Sequence, residues 1–252
     1  MSATEASVDP VITPESTSGT RSVTTSGVKR GPKPKGTLSA EIVARAGLAI
    51  LDRRGPTHFS LRGVAAELGI RPNAIYTYAA SRARLEQLVV DLVIAEADIT
   101  LLDPDAGLWN ERLEAFALAL RGALIDHPGA APLLMAAPLD GPHALAMGEA
   151  LLAVLMEAGL NGPDAARAVW PLLVYVIGSV SLEVSDAPGT GTGLPAEADR
   201  VVERRQRFAE LDDATLPRLY AARMVIARWP STQQFVWGLE RLLAGLLTAS
   251  PR

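Results

Sequence analysis

The chain has 252 residues, enough for one large domain or two small ones with a substantial core. Hydrophobic residues make up 48%, charged residues 21%, the net charge is -4, and there is no cysteine. This balance describes a soluble globular protein and excludes a disulfide framework or a thiolate metal site.

Residues 1–28 are rich in Ser, Thr and Pro and predict a disordered tail. The stretch lacks the basic-then-apolar order of a secretory leader. The longest apolar run, "VWPLLVYVIGSV", is interrupted by Pro171 and Gly178. Both points favour a cytoplasmic protein with no membrane partner. "VKRGPKPKG" (28–36) follows as a basic arm, kept extended by Pro32 and Pro34. Ser39 then caps a first helix, and Gly55-Pro56 stops it. Ser60 caps a second helix over 61–67, ended by Gly69, and Pro72 stands in the first turn of a third. Ser81 opens a fourth, predicted to run to about Leu102. Further helices are predicted over 107–126, near 130–137, and over 142–158, 163–185, 199–210, 216–228 and 231–247. "DAPGTGTGLPAEA" (186–198) is a predicted mobile loop. No strand, repeat or phosphate-binding glycine loop stands out, so the predicted fold class is all-α.

Charge is unevenly spread. Residues 29–90 hold eleven Lys and Arg against four Asp and Glu, a local charge of +7, which leaves −11 for the rest. A basic module joined to an acidic one suggests a nucleic-acid-binding end. Within it, "LRGVAAELGIRPNAIYTYAA" (61–80) has helix-turn-helix spacing. Val64, Leu68, Ile70, Ile75 and Tyr78 take buried positions, Ala65 is small at the crossing, and Gly69 provides the positive φ of the turn. A plain helical hairpin fits the same spacing.

The flanks are more specific. "FSLRGVAAELGIRPNAIYTYAASRARLEQLV" closely resembles the N-terminal domain of the tetracycline-repressor (TetR/AcrR) family of bacterial regulators. The carrying residues are Ser60, Leu61, Arg62, Val64 and Ala65, then Glu67, Leu68 and Gly69, then Ile75, Tyr76 and Tyr78. The likeness covers residues 38–92 and continues beyond them only as architecture. Two positions depart from the family's pattern: Ala79 replaces an aromatic residue, and Arg82 replaces a lysine. The resemblance implies a tail with a basic arm over 1–36, a three-helix DNA-binding domain over 37–84, and a helical ligand-binding and dimerisation domain over 85–252.

With the resemblance in hand, Arg71, Asn73 and Thr77 are expected at base edges, since Arg suits guanine and Asn suits adenine; Ala74, beside Pro72, suits a thymine methyl. Ser60, Arg62, Tyr76, Tyr78 and Arg82 are expected at phosphates. The alternatives are core packing for Tyr76 and a solvated face for Arg82 and Arg84. Lys29, Arg30, Lys33 and Lys35 resemble a minor-groove arm, or form a soluble tail.

In the family the C-terminal helices enclose a ligand and form the dimer. Trp109, Leu113, Phe116, Met135, His143, Met147, Trp170 and Tyr175 are the candidate pocket residues, although such stripes are most often plain core. Pro171 within a helix implies a kink that would shape a cavity beside Trp170. Leu173, Val180, Leu239, Leu242 and Leu246 are the candidate dimer residues. The reading is a dimeric transcriptional regulator, a repressor released from a palindromic duplex operator by a small, mostly apolar inducer, with no cofactor or metal. An all-α enzyme, or a regulator without a small-molecule ligand, is the alternative. The three histidines lie far apart, and no HExxH, GxSxG or P-loop occurs.

Overall fold

The computed structural model describes residues 38–186 and 193–248. All of them lie in one compact unit, Thr37–Arg252. The fold is all-α. Among the described residues there are eleven α-helices: α1 Ala40–Arg54, α2 Leu61–Leu68, α3 Pro72–Ile75, α4 Arg82–Glu96, α5 Trp109–Asp126, α6 Ala131–Ala136, α7 Pro142–Glu157, α8 Gly162–Asp186, α9 Glu197–Ala209, α10 Pro217–Ile226 and α11 Thr232–Thr248. The predicted tail, its basic arm and residues 187–192 of the predicted loop lie outside the described residues.

Local chemistry sets the first helix starts. The hydroxyls of Ser39, Ser60 and Ser81 accept from the backbone N–H groups of Ile42, Gly63 and Arg84 at 3.2, 3.0 and 3.1 Å. Each such cap is worth about 1 kcal/mol. One predicted boundary was wrong. The fourth helix ends at Glu96, not near Leu102, because Ala97 turns extended. Asp98 then accepts from the Thr100 N–H at 3.0 Å and opens a separate 3-10 turn, Ile99–Leu102.

α1 packs on α2 and α4, and α2 on α3, while α4 also reaches α5, α6 and α7. Gly47 permits the closest approach of α1 and α4, since a Cβ there would press on the Phe59 ring and on Val89 at 3.1 Å. α8 is the central element of the C-terminal region and contacts α5, α6, α7 and α11. It runs unbroken through Pro171. By length and composition it is apolar enough to cross a membrane. In this fold it is a core helix. Ala165, Leu172, Val176 and Val180 are buried inside, and Glu183 is buried near its end.

Candidate nucleic-acid interface

α2 and α3 form the helix-turn-helix. Val64, Ala65, Ile75 and Ala79 are buried beneath it. Gly69 has φ 67°, the left-handed conformation that favours glycine, and the turn closes with Ile70 N–H donating to Ala65 O at 3.0 Å. α3 has only four helical residues, extended by a turn in which Tyr78 N–H donates to Ile75 O at 2.9 Å. Ala79 is itself fully buried, and Tyr78 packs half-buried on the same core.

The outward side carries the readers. Arg62, Arg71, Pro72, Asn73, Tyr76 and Thr77 are exposed, with Ala74 half-buried among them. Tyr76 is 49% exposed, which removes core packing as its role. Arg62 and Arg71 form no ion pair among the described residues, so their guanidiniums face solvent uncompensated. Arg82 is placed differently from the expected free phosphate donor. It donates to Glu86 Oε1 at 2.8 Å and to Phe59 O at 3.1 Å, with its guanidinium 5.6 Å from the Phe59 ring centroid. It therefore ties the start of α4 to the start of α2. Arg84 leans on Gln87 at 3.3 Å. The Ser60 hydroxyl is occupied as a cap acceptor but keeps its own proton to donate. Lys29, Arg30, Lys33 and Lys35 lie outside the described residues.

Comparison with known proteins fixes the context of this surface. The family model for the tetracyclin repressor-like C-terminal domain matches residues 103–250. The chain belongs to the tetracycline-repressor family. An HTH-type transcriptional regulator of Saccharopolyspora erythraea is 32% identical over 166 residues, covering 64% of this chain and 70% of that protein. The HTH-type transcriptional repressor DrrR1 of Streptomyces coeruleorubidus is 29% identical over 221 residues, covering 86% and 79%. ActR of Streptomyces coelicolor, a TetR-family protein solved with actinorhodin, shares the fold with a TM-score of 0.71 at 24% identity, covering 86% of this chain and 99% of that one. This TetR-family protein is thus a DNA-binding transcriptional regulator, as its relatives are, and not an enzyme.

Behind the interface lie polar contacts that the sequence did not reveal. His127, one of the three histidines scattered along the sequence, caps the C-terminus of α5. Its Nδ1 lies 2.9 Å from Asp52 Oδ2 on α1, and its Nε2 lies 2.7 Å from Glu96 Oε2 at the end of α4. The Asp52 hydrogen bond, supported by the charge of both carboxylates, outweighs partial burial and raises the imidazole pKa from 6.5 to about 9. The ring is therefore cationic at neutral pH and donates through both nitrogens. One residue thus fastens the DNA-reading bundle to α4 and α5. On α4, Asp91 Oδ1 accepts from the N–H groups of His143 and Ala144, each at 3.0 Å, and so caps α7. The only hint was an acid inside the apolar run "LVVDLVI".

The raised pKa has a defined sign. The clasp's contribution is complete below the unfolded value near 6.5 and is lost as pH rises through about 9. After allowance for solvent screening of this partly exposed group, we expect wild type to lose about 1–2 kcal/mol across that window relative to His127→Gln. Urea unfolding of both proteins from pH 6 to 10 measures it, and parallel pH profiles would refute it.

The C-terminal candidates do not all converge. Leu113, Phe116 and Met147 are buried, Trp109 and Tyr175 half-buried. Met135 and Trp170 face solvent at 64% and 69% exposure, and His143 is exposed, so these three line no interior pocket. Trp170 points outward into solvent. The Tyr175 hydroxyl instead donates to Phe235 O at 2.7 Å, joining α8 to α11 where Gly238 leaves it room. Val180 and Leu239 are buried within the protomer, while Leu173, Leu242 and Leu246 are half-buried. The exposed apolar residues of α8 are Trp170, Val174 and Leu182. Among the described residues no group of three or more His, Asp or Glu is arranged to hold a metal.

Proposed function

We propose that this TetR-family regulator is a dimeric repressor that reads a palindromic operator with α3 and leaves it when a small molecule binds the helical region. The observation that carries the DNA reading is the set of exposed, unpaired side chains on one surface, Arg62, Arg71, Asn73 and Thr77. Arg71, Asn73 and Thr77 take base edges, with Ala74 against a thymine methyl; Arg62, Tyr76, Tyr78, Ser60 and the remaining N–H groups of Arg82 take phosphates. The arm Lys29, Arg30, Lys33 and Lys35 adds cations along the backbone. The protein acts in the cytoplasm, where its operator is.

Two-fold pairing follows from how such motifs dock. Recognition helices must lie about 34–36 Å apart to meet successive major grooves. The exposed Val174 and Leu182 of α8, with half-buried Leu242 and Leu246 of α11, supply apolar surface for that pairing. Val174→Glu/Leu182→Glu should yield monomers by sedimentation and lower operator affinity by at least tenfold. A monomeric wild type at micromolar concentration would end the dimer reading.

Ligand control is supported by the relative bound to actinorhodin and by the way α4 joins the reader to the helices behind it. The interior space between Leu113, Phe116, Leu151, Leu172 and Val176 is only about 20 Å³, room for little more than a single water. A ligand entering there must part those side chains, and it favours the conformation whose two α3 helices no longer match the grooves. A shift from almost wholly bound to almost wholly released takes about 5.5 kcal/mol of differential affinity. Ala117→Val, which adds two methyl groups to this space, should abolish induction while sparing operator binding.

A further inference from the structure

A groove of about 720 Å³ lies between α9, α10 and α11, away from the interior space described above. Two features set its chemistry. Arg205 on α9 and Arg228 just beyond α10 both line it, and none of its nine lining residues is acidic. Neither arginine forms an ion pair among the described residues. Arg228 only donates to the Gln233 amide oxygen at 3.1 Å, and Arg205 Nε is buried with no acceptor. A neighbouring concavity of about 310 Å³ shares both arginines and contains Glu197. That carboxylate is already taken, however, by Thr232 N–H at 2.9 Å, Thr232 Oγ1 at 2.7 Å and Arg121 at 3.7 Å. On the other side, a concavity sharing Trp229, Ser231 and Gln234 is lined by Glu183 and Asp186, but these carboxylates are held by Arg121, Arg200, Arg204 and Arg207.

The second feature is flat apolar surface. Trp229 and Trp237 line the groove with 55% and 54% of their surface exposed, next to exposed Met224 and Val225. Large aromatic rings left in water beside one another mark a binding surface. Trp237 already stacks on a guanidinium, with Arg241 4.8 Å from its ring centroid. Its other side and Trp229 remain available to a planar partner.

We propose that this groove binds a planar aromatic anion, its rings against Trp229 and Trp237 and its anionic group on Arg205 and Arg228. A guanidinium offers parallel N–H donors that match a carboxylate, and such charge-assisted pairs are about twice as strong as neutral ones. The ring system supplies the apolar burial, and the anion supplies the charge the two arginines lack. A second copy of the chain would cover the indoles but would have to bring a carboxylate to the same point. Binding here stands independently of operator release, so the two are tested separately.

The test is calorimetric titration of the full-length protein with anthracene-2-carboxylate and with its neutral counterpart, anthracene-2-carboxamide. The carboxylate should bind at least tenfold more tightly. Arg205→Gln/Arg228→Gln should erase that preference while leaving carboxamide binding within twofold and the unfolding midpoint unchanged. Trp229→Leu should weaken both probes, and Arg205→Lys/Arg228→Lys should restore part of the preference. Equal affinity for the two probes, or a double Gln variant that keeps the preference, would overturn the proposal. So would a double Gln variant that changes from dimer to monomer in sedimentation with unaltered probe binding, since the groove would then be a contact between copies.

Discussion

Glu183→Leu should destabilise the protein by about 3–5 kcal/mol, the largest single-residue effect we expect. Glu183 is buried on α8, and its carboxylate serves two buried guanidiniums from different helices. Oε1 and Oε2 lie 2.9 and 2.8 Å from Arg121 Nη2 on α5, and Oε1 lies 2.6 Å from Arg200 Nη1 on α9. Arg121 also donates to Thr232 Oγ1 at 3.1 Å at the start of α11. Three helices therefore meet on one carboxylate, and Arg121 extends the network to α11. Leucine would strand two cations in a poorly solvated site with only the more distant Glu197 to answer them. At about 2–4 °C per kcal/mol for a chain of this size, the midpoint should fall by roughly 6–20 °C. Because the penalty comes from unpaired charge and not from lost attraction, Arg121→Met/Glu183→Leu/Arg200→Met should recover most of it. A Glu183→Leu variant within 1 kcal/mol of wild type in urea unfolding would show that the network does not hold these helices.

Asn73→Ala should weaken operator binding by about 1–3 kcal/mol and relax the preference at one base pair. Asn73 is exposed on the second residue of α3, next to Arg71, where a side-chain amide can pair with an adenine edge. Arg62→Ala should behave differently. A phosphate contact carries no sequence information, so affinity for operator and scrambled duplex should fall together, and the slope of log affinity against log salt should shrink by about one. Competition assays at several salt concentrations separate the two variants. If Asn73→Ala keeps wild-type discrimination, the base-edge role assigned to it is wrong.

Much of this fold is legible because its signals are local. Ser39, Ser60 and Ser81 announce helix starts with hydroxyls that reach N–H groups three residues on, and Gly69 supplies a turn that only its own φ decides. The α4 boundary shows the limit of that logic. Apolar periodicity continues past Glu96, but the Asp98–Thr100 hydrogen bonds compete with the helix and end it early. The outward face of α3 was also readable, since Val64 and Ile75 had to turn inward and Arg71, Asn73 and Thr77 then had to turn out. The contacts of Arg82 with Phe59 O and Glu86 were not, since Phe59 is 23 residues away.

The sequence by itself determined the all-α class, the helix-turn-helix and which side chains of α3 face outward, because each depends on spacing within a turn or two of helix. Tertiary structure alone decided which apolar stripes meet. Trp170 shares helix α8 with buried Val176 and Val180, but no neighbouring helix covers it. Tertiary structure also decided where charge is buried. His127 finds Asp52 across 75 residues, and Arg121 finds Glu183 across 62. Helical periodicity tells which side chains share a face and says nothing about what that face will meet. A charge can stay buried only where the folded chain brings its counter-charge within a few ångströms.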